Sequence, residues 1–182
     1  PLSSTISSEA KQQKQNSYLF IGQLEEHKGI KFLVNFWKQN NIQSKLFIAG
    51  VGKLNSSDFG QNQQISFEGH VSQNRLKEIF KTIDFLIMPS LCYENSPTVI
   101  LEAMQNATPA ICADIGGAAE LVKENNIGFT FEAADPQSFE AVLSKAANIS
   151  NEEFRQLSEK ALNSAAKYNQ EKYIQQLNQL LT

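Results

Sequence analysis

Hydrophobic residues along the chain fall into short continuous runs, separated by longer stretches in which they recur at helical spacing. Tyr18-Leu19-Phe20-Ile21 ends at Gly22, Lys45-Leu46-Phe47-Ile48-Ala49 is closed by Gly50-Val51-Gly52, and Ile65-Ser66-Phe67-Glu68 is the third run. Asp84-Phe85-Leu86-Ile87-Met88, halted by Pro89, then Pro109-Ala110-Ile111-Cys112-Ala113 and Gly128-Phe129-Thr130-Phe131 complete six predicted strands. Between them the spacing predicts helices over 29–40, 72–82, 97–106 and 118–123. Three more follow the last strand, over 136–148, 151–166 and 170–181. The final one carries Tyr173, Leu177, Leu180 and Leu181 on one face, which needs an apolar surface to cover. Short uninterrupted strands alternating with amphipathic helices describe an α/β fold, a doubly wound parallel sheet of about six strands with helices on both faces.

Residues 1–16 are polar, Ser- and Gln-rich and without periodicity, and read as a linker or frayed leader. The 182 residues suit one domain with a full core, and are few for a two-domain enzyme with its active site in a cleft between halves. A formal charge of −3, with Arg75 and Arg155 the only arginines, leaves no basic stripe and excludes nucleic-acid binding through phosphate contacts. No apolar run approaches the roughly 20 residues of a membrane helix, and no signal peptide opens the chain, so a cytoplasmic location is expected. Cys92 and Cys112 lack metal-ligand spacing and read as buried thiols.

Ligands of an open parallel sheet collect at the carboxyl ends of its strands, so chemistry is sought in the loops leaving them. No G-x-G-x-x-G opens the first helix, which counts against a dinucleotide-binding oxidoreductase. No Walker pattern and no histidine-carboxylate metal set is present. The densest signal is Tyr93-Glu94-Asn95-Ser96-Pro97-Thr98-Val99-Ile100-Leu101-Glu102. Asn95 or Ser96 suits a helix cap and Pro97 the first helical position, which leaves the Thr98 and Val99 N–H groups open to an anion. Glu102 shares their helix face, about 7 Å along the axis from Pro97, at roughly 1.5 Å per residue. A diphosphate at the helix start with a hydroxylated sugar near Glu102 fits that spacing. On spacing alone, Glu94 and Glu102 read more readily as solvated carboxylates, since exposed glutamates are common.

With seven residues between its glutamates, E-N-S-P-T-V-I-L-E-A-M resembles the donor-binding motif of family 4 retaining glycosyltransferases, the glycosyl transferases group 1. These have the GT-B fold and are similar to glycogen and sucrose synthases. Phe20-Ile21-Gly22-Gln23-Leu24 with His27-Lys28-Gly29, Leu46 to Gly52, Phe67 to Ser72, Asp84-Phe85 with Pro89-Ser90, and Gly116 to Val122 fall in the family's order. The resemblance covers about residues 17–148. It implies a Rossmann-like, C-terminal donor-binding half of a GT-B enzyme, comprising a leader (1–16), a nucleotide-sugar domain (17–166) and a C-terminal helix (167–182) packing toward an absent N-terminal acceptor domain. The implied reaction is retaining transfer of a hexose from a nucleotide-diphosphate sugar to a glycan or lipid-linked acceptor in polysaccharide biosynthesis, with no metal or other cofactor. Membrane association would be peripheral and through the missing half, and this chain alone would turn over little or nothing.

The family's functional positions map onto Glu94 and Lys28 as catalytic residues, with Lys28 offsetting charge on the leaving diphosphate. Glu102 maps to the ribose ligand, Thr98 and Val99 to the diphosphate donors, and Gly22 to a point of close backbone approach. Asn95, Ser96, Gln23, Gly116 and Gly117 complete the implied substrate site. One position departs: the family has arginine where Gln23 stands, and glutamine keeps hydrogen bonding but loses the charge and the bidentate fork. Another cation, such as Lys53 in the next loop, would have to substitute. A degenerate, non-catalytic nucleotide-sugar-binding module and a GT-B epimerase or phosphorylase are the alternatives.

Overall fold

The computed structural model describes residues 7, 9–93 and 98–168. Six strands form one sheet: β1 (Ser17–Ile21), β2 (Lys45–Ala49), β3 (Ile65–Gly69), β4 (Phe85–Met88), β5 (Ala110–Ala113) and β6 (Gly128–Phe131). The helices are α1 (Ile30–Gln39), α2 (Ser56–Phe59), α3 (Gln73–Thr82), α4 (Thr98–Gln105), α5 (Gly116–Asn125), α6 (Pro136–Asn148) and α7 (Asn151–Ala165). All strand pairs are parallel, and the order across the sheet is β3-β2-β1-β4-β5-β6. This is the expected doubly wound architecture. The expected helix over 170–181, with Tyr173 and Leu177, lies outside the described residues.

Alternate residues of each strand feed two separate cores, as the two-residue period of a strand requires. Tyr18, Phe20, Leu46, Ile48, Phe85, Ile87 and Phe131 meet α1 and α6 through Leu33, Trp37, Phe139 and Leu143. Leu19, Leu86, Ala110 and Cys112 meet α3, α4 and α5 through Phe80, Ile100, Met104 and Val122. Helix α7 serves both, with Phe154 in the first core and Ala161 in the second. Local signals start the helices where the sequence placed them. Ser72 accepts from the Arg75 N–H, Asp135 caps α6 beside Pro136, and Ser150 with Glu153 closes a capping box on α7.

Three short elements were not expected: α2, whose Asn55–Asp58 capping box was legible, and 3-10 turns at Glu26–Lys28 and Ala166–Tyr168. Helix α5 begins at Gly116, two residues before its expected start, because low helix propensity at Gly116 and Gly117 hid its first turn. Cys112 is buried as expected and its thiol is pushed up to about 12 by burial, whereas Cys92 is only half-buried. No helix among the described residues is long and apolar enough to cross a membrane.

Residues 9–16, read from sequence as a linker or frayed leader, lie against the domain. Lys11 Nζ donates to Phe80 O (2.7 Å), Ile83 O (2.5 Å) and Thr108 Oγ1 (2.7 Å), and its own N–H donates to Ser158 Oγ (2.7 Å). The Asp84 carboxylate accepts from the N–H groups of Gln15 and Ser17, and burial raises its pKa. These are contacts of individual polar groups, which no periodicity announces. Burial also pulls Lys11 from the ordinary 10.5 down to about 7, against the pull of Asp84 in the other direction. Its folded value therefore lies below its unfolded one, and the folded state holds fewer protons across that window. Stability should rise from about pH 7 to pH 10.5, and Lys11→Met should flatten that slope in denaturant titrations. The same substitution is expected to cost on the order of 1–3 kcal/mol, by leaving buried acceptors unpaired.

Candidate functional site

The strand order reverses between β1 and β4, so the connections leaving these neighbours run to opposite sides of the sheet. A crevice opens at that point, at the carboxyl ends of the strands. The loop after β1 (22–29) and the described part of the loop after β4 (89–93) flank it. They touch at Gly29, which has a φ of 74° and approaches so closely that a Cβ there would lie 1.8 Å from Pro89 O. Leu91 N–H donates to His27 O across the same contact (2.8 Å). The loop after β2 is joined in turn, with Leu24 N–H donating to Val51 O (3.1 Å) and Leu54 N–H to Leu24 O (2.9 Å). Three loops far apart in sequence thus form one backbone-linked rim.

Several predicted residues sit on that rim. Gly22 follows the last residue of β1, and its N–H extends the ladder to Ala49 O (3.1 Å). Gln23 is exposed on the next turn, and Lys28 ends the 3-10 turn, half-buried, one residue before Gly29. On the β4 side, Thr98 is the exposed first residue of α4, Val99 packs partly on the second core, and Ile100 is buried. Gly116 and Gly117 form the first turn of α5, beyond the end of β5. Its N-cap, Ile115, supplies no side-chain bond, so side chains do not cap the N–H groups there. Glu94, Asn95, Ser96 and Pro97 lie outside the described residues.

Glu102 lies one turn into α4, facing α3. Gln73, Leu76, Lys77 and Phe80 of α3 and Asn106 line a narrow crevice with it. Burial raises the pKa of this half-buried carboxylate, and among the described residues no side chain or backbone group donates a hydrogen bond to it. A carboxylate held partly out of water in such a crevice is suited to accept from a ligand's hydroxyls. The α3 wall was not foreseen from sequence, because helical spacing gives a residue's face but not which helix stands opposite. Among the described residues no group of three or more His, Cys, Asp or Glu could hold a metal ion. His70 is exposed after β3.

A separate depression of about 640 Å³ opens at the amino ends of β1–β3, lined among others by Gln15, Lys45, Gln64 and Arg75. It lies at the edge where a doubly wound sheet does not bind its ligands, and Arg75 is committed to Glu68 (2.8 Å). The chemistry is therefore sought at the carboxyl rim. There a lysine and the positive ends of two helices favour an anion, with a hydroxyl-accepting carboxylate one helical turn away.

Comparisons with known proteins bear on the family and the fold. The sequence model for glycosyl transferases group 1 matches residues 4–178. An uncharacterized glycosyltransferase of Methanocaldococcus jannaschii is 30% identical over 135 residues, 70% of this chain and 34% of that protein. The amylovoran biosynthesis glycosyltransferase AmsD of Erwinia amylovora is 27% identical over 175 residues, 92% of this chain and 48% of its own. Among solved structures, Anabaena HepE in complex with UDP and glucose has the same fold, with a TM-score of 0.78 and 20% identity, over 91% of this chain and 47% of that one. The chain spans half or less of the length of these relatives.

Proposed function

Because the chain belongs to the glycosyl transferases group 1, we propose that its carboxyl rim is the donor site of a glycosyltransferase and holds a nucleotide-diphosphate sugar. The observation that carries this reading is Glu102, a partly desolvated carboxylate without a described donor, one turn from the start of α4. Its crevice takes the ribose, whose hydroxyls donate to it. The diphosphate lies back along α4 toward its N-terminus, where the Thr98 and Val99 N–H groups and the helix dipole receive it. Lys28 comes from the facing loop and neutralises charge that grows on the diphosphate as the glycosidic bond breaks. The donor sugar then extends toward Gly116 and Gly117, whose open backbone gives its hydroxyls room and N–H donors. By the family resemblance, Glu94 would orient the sugar and stabilise developing positive charge. The UDP bound by the structurally similar HepE supports a uridine nucleotide as the donor's carrier.

The whole protein would transfer a hexose with retention to a glycan or lipid-linked acceptor in polysaccharide assembly, at or near the cytoplasmic face of the membrane. Lys28 and the helix dipoles would meet part of the diphosphate charge, and the reading calls for no metal. An N-terminal acceptor domain would close the cleft and exclude water at the reacting bond. This chain alone would then bind donor and turn over little or nothing.

Calorimetric titration with UDP-, GDP- and ADP-hexoses tests the reading. Binding of one carrier, in the micromolar to millimolar range, is the expected outcome. Failure of all three to bind would overturn the donor site.

A further inference from the structure

The crevice at Glu102 is a gap between two helices: Leu76 and Phe80 of α3 stand on one side, Glu102 and Asn106 on the other. One side chain from the leader joins the ends of both. Lys11 Nζ donates to Phe80 O (2.7 Å) in the last turn of α3 and to Ile83 O (2.5 Å) just beyond it. Its third bond goes to Thr108 Oγ1 (2.7 Å), shortly after the end of α4. The three donors of an ammonium thus meet three acceptors. Two of these are carbonyls at a helix end, where intrahelical partners run out and the dipole favours a cation. The leader's backbone is fixed to the same corner. Ser158 Oγ of α7 accepts from the Lys11 N–H (2.7 Å) and donates to Ala107 O (2.7 Å), and Ser7 N–H donates to Gln105 O (2.7 Å). Thr108 Oγ1 in turn donates to the carbonyl of Asn106 (3.1 Å), a residue of the crevice.

We propose that Lys11 is a positioning residue for the nucleotide: by clasping the ends of α3 and α4 it sets the width of the crevice in which Glu102 meets the ribose. The inference rests on the donor-site reading above. Thr108 lies six residues beyond Glu102 (108 − 102), and helix α4 covers most of that span, about 9 Å at 1.5 Å per residue. Phe80 lies seven residues beyond Gln73 (80 − 73) within α3, about 10 Å along the axis. A shift at the clasped ends is therefore carried by two stiff helices to the place where the ribose binds. Without the ammonium, the carbonyls of Phe80 and Ile83 lose a donor, and the helix ends part to let water reach them. Hydrogen bonds weaken steeply once distance and angle depart from their optimum, so a small widening is felt at Glu102. Lys14 provides the contrast. It donates to Ala146 O (3.3 Å) and Ala147 O (2.6 Å) at the end of α6, which packs on the other core, so it holds the leader without joining the crevice helices.

The test titrates UDP, GDP, ADP and their 2′-deoxy counterparts into the unaltered chain and into Lys11→Met, Thr108→Val, Lys14→Met and Glu102→Ala. Thermal denaturation fixes a temperature at which each protein is folded. The unaltered chain should prefer the ribonucleotide that binds it by about tenfold or more, since the deoxy form lacks a hydroxyl that donates to a carboxylate. Lys11→Met should reduce that preference to about threefold or less, with deoxynucleotide affinity little changed. Thr108→Val removes one acceptor and leaves the leader in place, and should lower the preference by a smaller factor. Lys14→Met should lower the melting temperature and keep the preference, which separates the clasp from general stability. An unchanged preference in Lys11→Met overturns the inference, and Thr108→Val decides in the same way if Lys11→Met does not fold. Equal losses of ribo- and deoxynucleotide affinity, or a matching loss of preference in Lys14→Met, also overturn it. If Glu102→Ala loses the preference while Lys11→Met keeps it, only this inference falls. If no nucleoside diphosphate binds the unaltered chain, or the two forms bind it equally, the donor-site reading falls as well.

Discussion

Glu102→Ala is expected to weaken nucleoside-diphosphate binding by roughly 100-fold, the largest effect of any single substitution at the rim. Hydrogen bonds to a charged acceptor contribute roughly 1.5–3 kcal/mol each, and a ribose offers two hydroxyls to one carboxylate. The crevice wall from α3 partly excludes water, so solvent does not easily replace what is removed. Stability should respond in the opposite direction. Burial raises the pKa of Glu102 above the ordinary 4.5, so between those two values the folded protein holds more protons than the unfolded chain. Its ionisation therefore costs stability as pH rises through that window. Glu102→Gln removes the cost, and should equal or exceed the unaltered protein in thermal stability at neutral pH while binding poorly. For the same reason, binding should begin to fail on acidification at a higher pH than an ordinary glutamate would impose. Calorimetry and thermal denaturation on both variants separate the two effects. Retained affinity in Glu102→Ala would remove Glu102 from the site.

Gly29→Ala is expected to destabilise the domain by roughly 2–5 kcal/mol, combining left-handed strain with overpacking. The added methyl meets backbone, Pro89 O at 1.8 Å, so no side chain can swing aside. One of the two flanking loops must move, and donor affinity should fall with stability. A chain of this size loses roughly 2–4 °C of melting temperature per kcal/mol, so a drop of about 10 °C is the readout. Gly29→Asn separates the causes. Asparagine tolerates the left-handed conformation but still carries the offending Cβ, so it should remain nearly as destabilised if close approach dominates. A melting temperature within a degree or two of the unaltered protein in both variants would show that the loops do not depend on this contact.

The two substitutions also mark where the sequence was legible. Spacing alone put Glu102 on the helix face of Thr98 and Val99, since position on a helix is set by 3.6-residue periodicity. The resemblance to a known family singled it out from other exposed glutamates. What the spacing did not contain was the opposite wall: Gln73 and Lys77 lie some 25–30 residues earlier in the chain. Gly29 is a different case. From sequence it closed a loop before a helix, whereas in the fold it is the contact between two loops 60 residues apart (89 − 29). The leader shows the same limit at Lys11, whose polar neighbours Phe80 O, Ile83 O and Thr108 come together only in the folded chain.

Strand and helix identity, the parallel sheet covered on both faces and the family were determined by the sequence itself. Each depends on local pattern: continuous apolar runs for strands buried on both faces, helical spacing between them, and ordered motifs in the loops. Which loops touch and what faces Glu102 were decided by tertiary structure alone. Strand order brings β1 beside β4 and puts their loops at one crevice, and neither that neighbour relation nor the charges it gathers has any local signature in the chain.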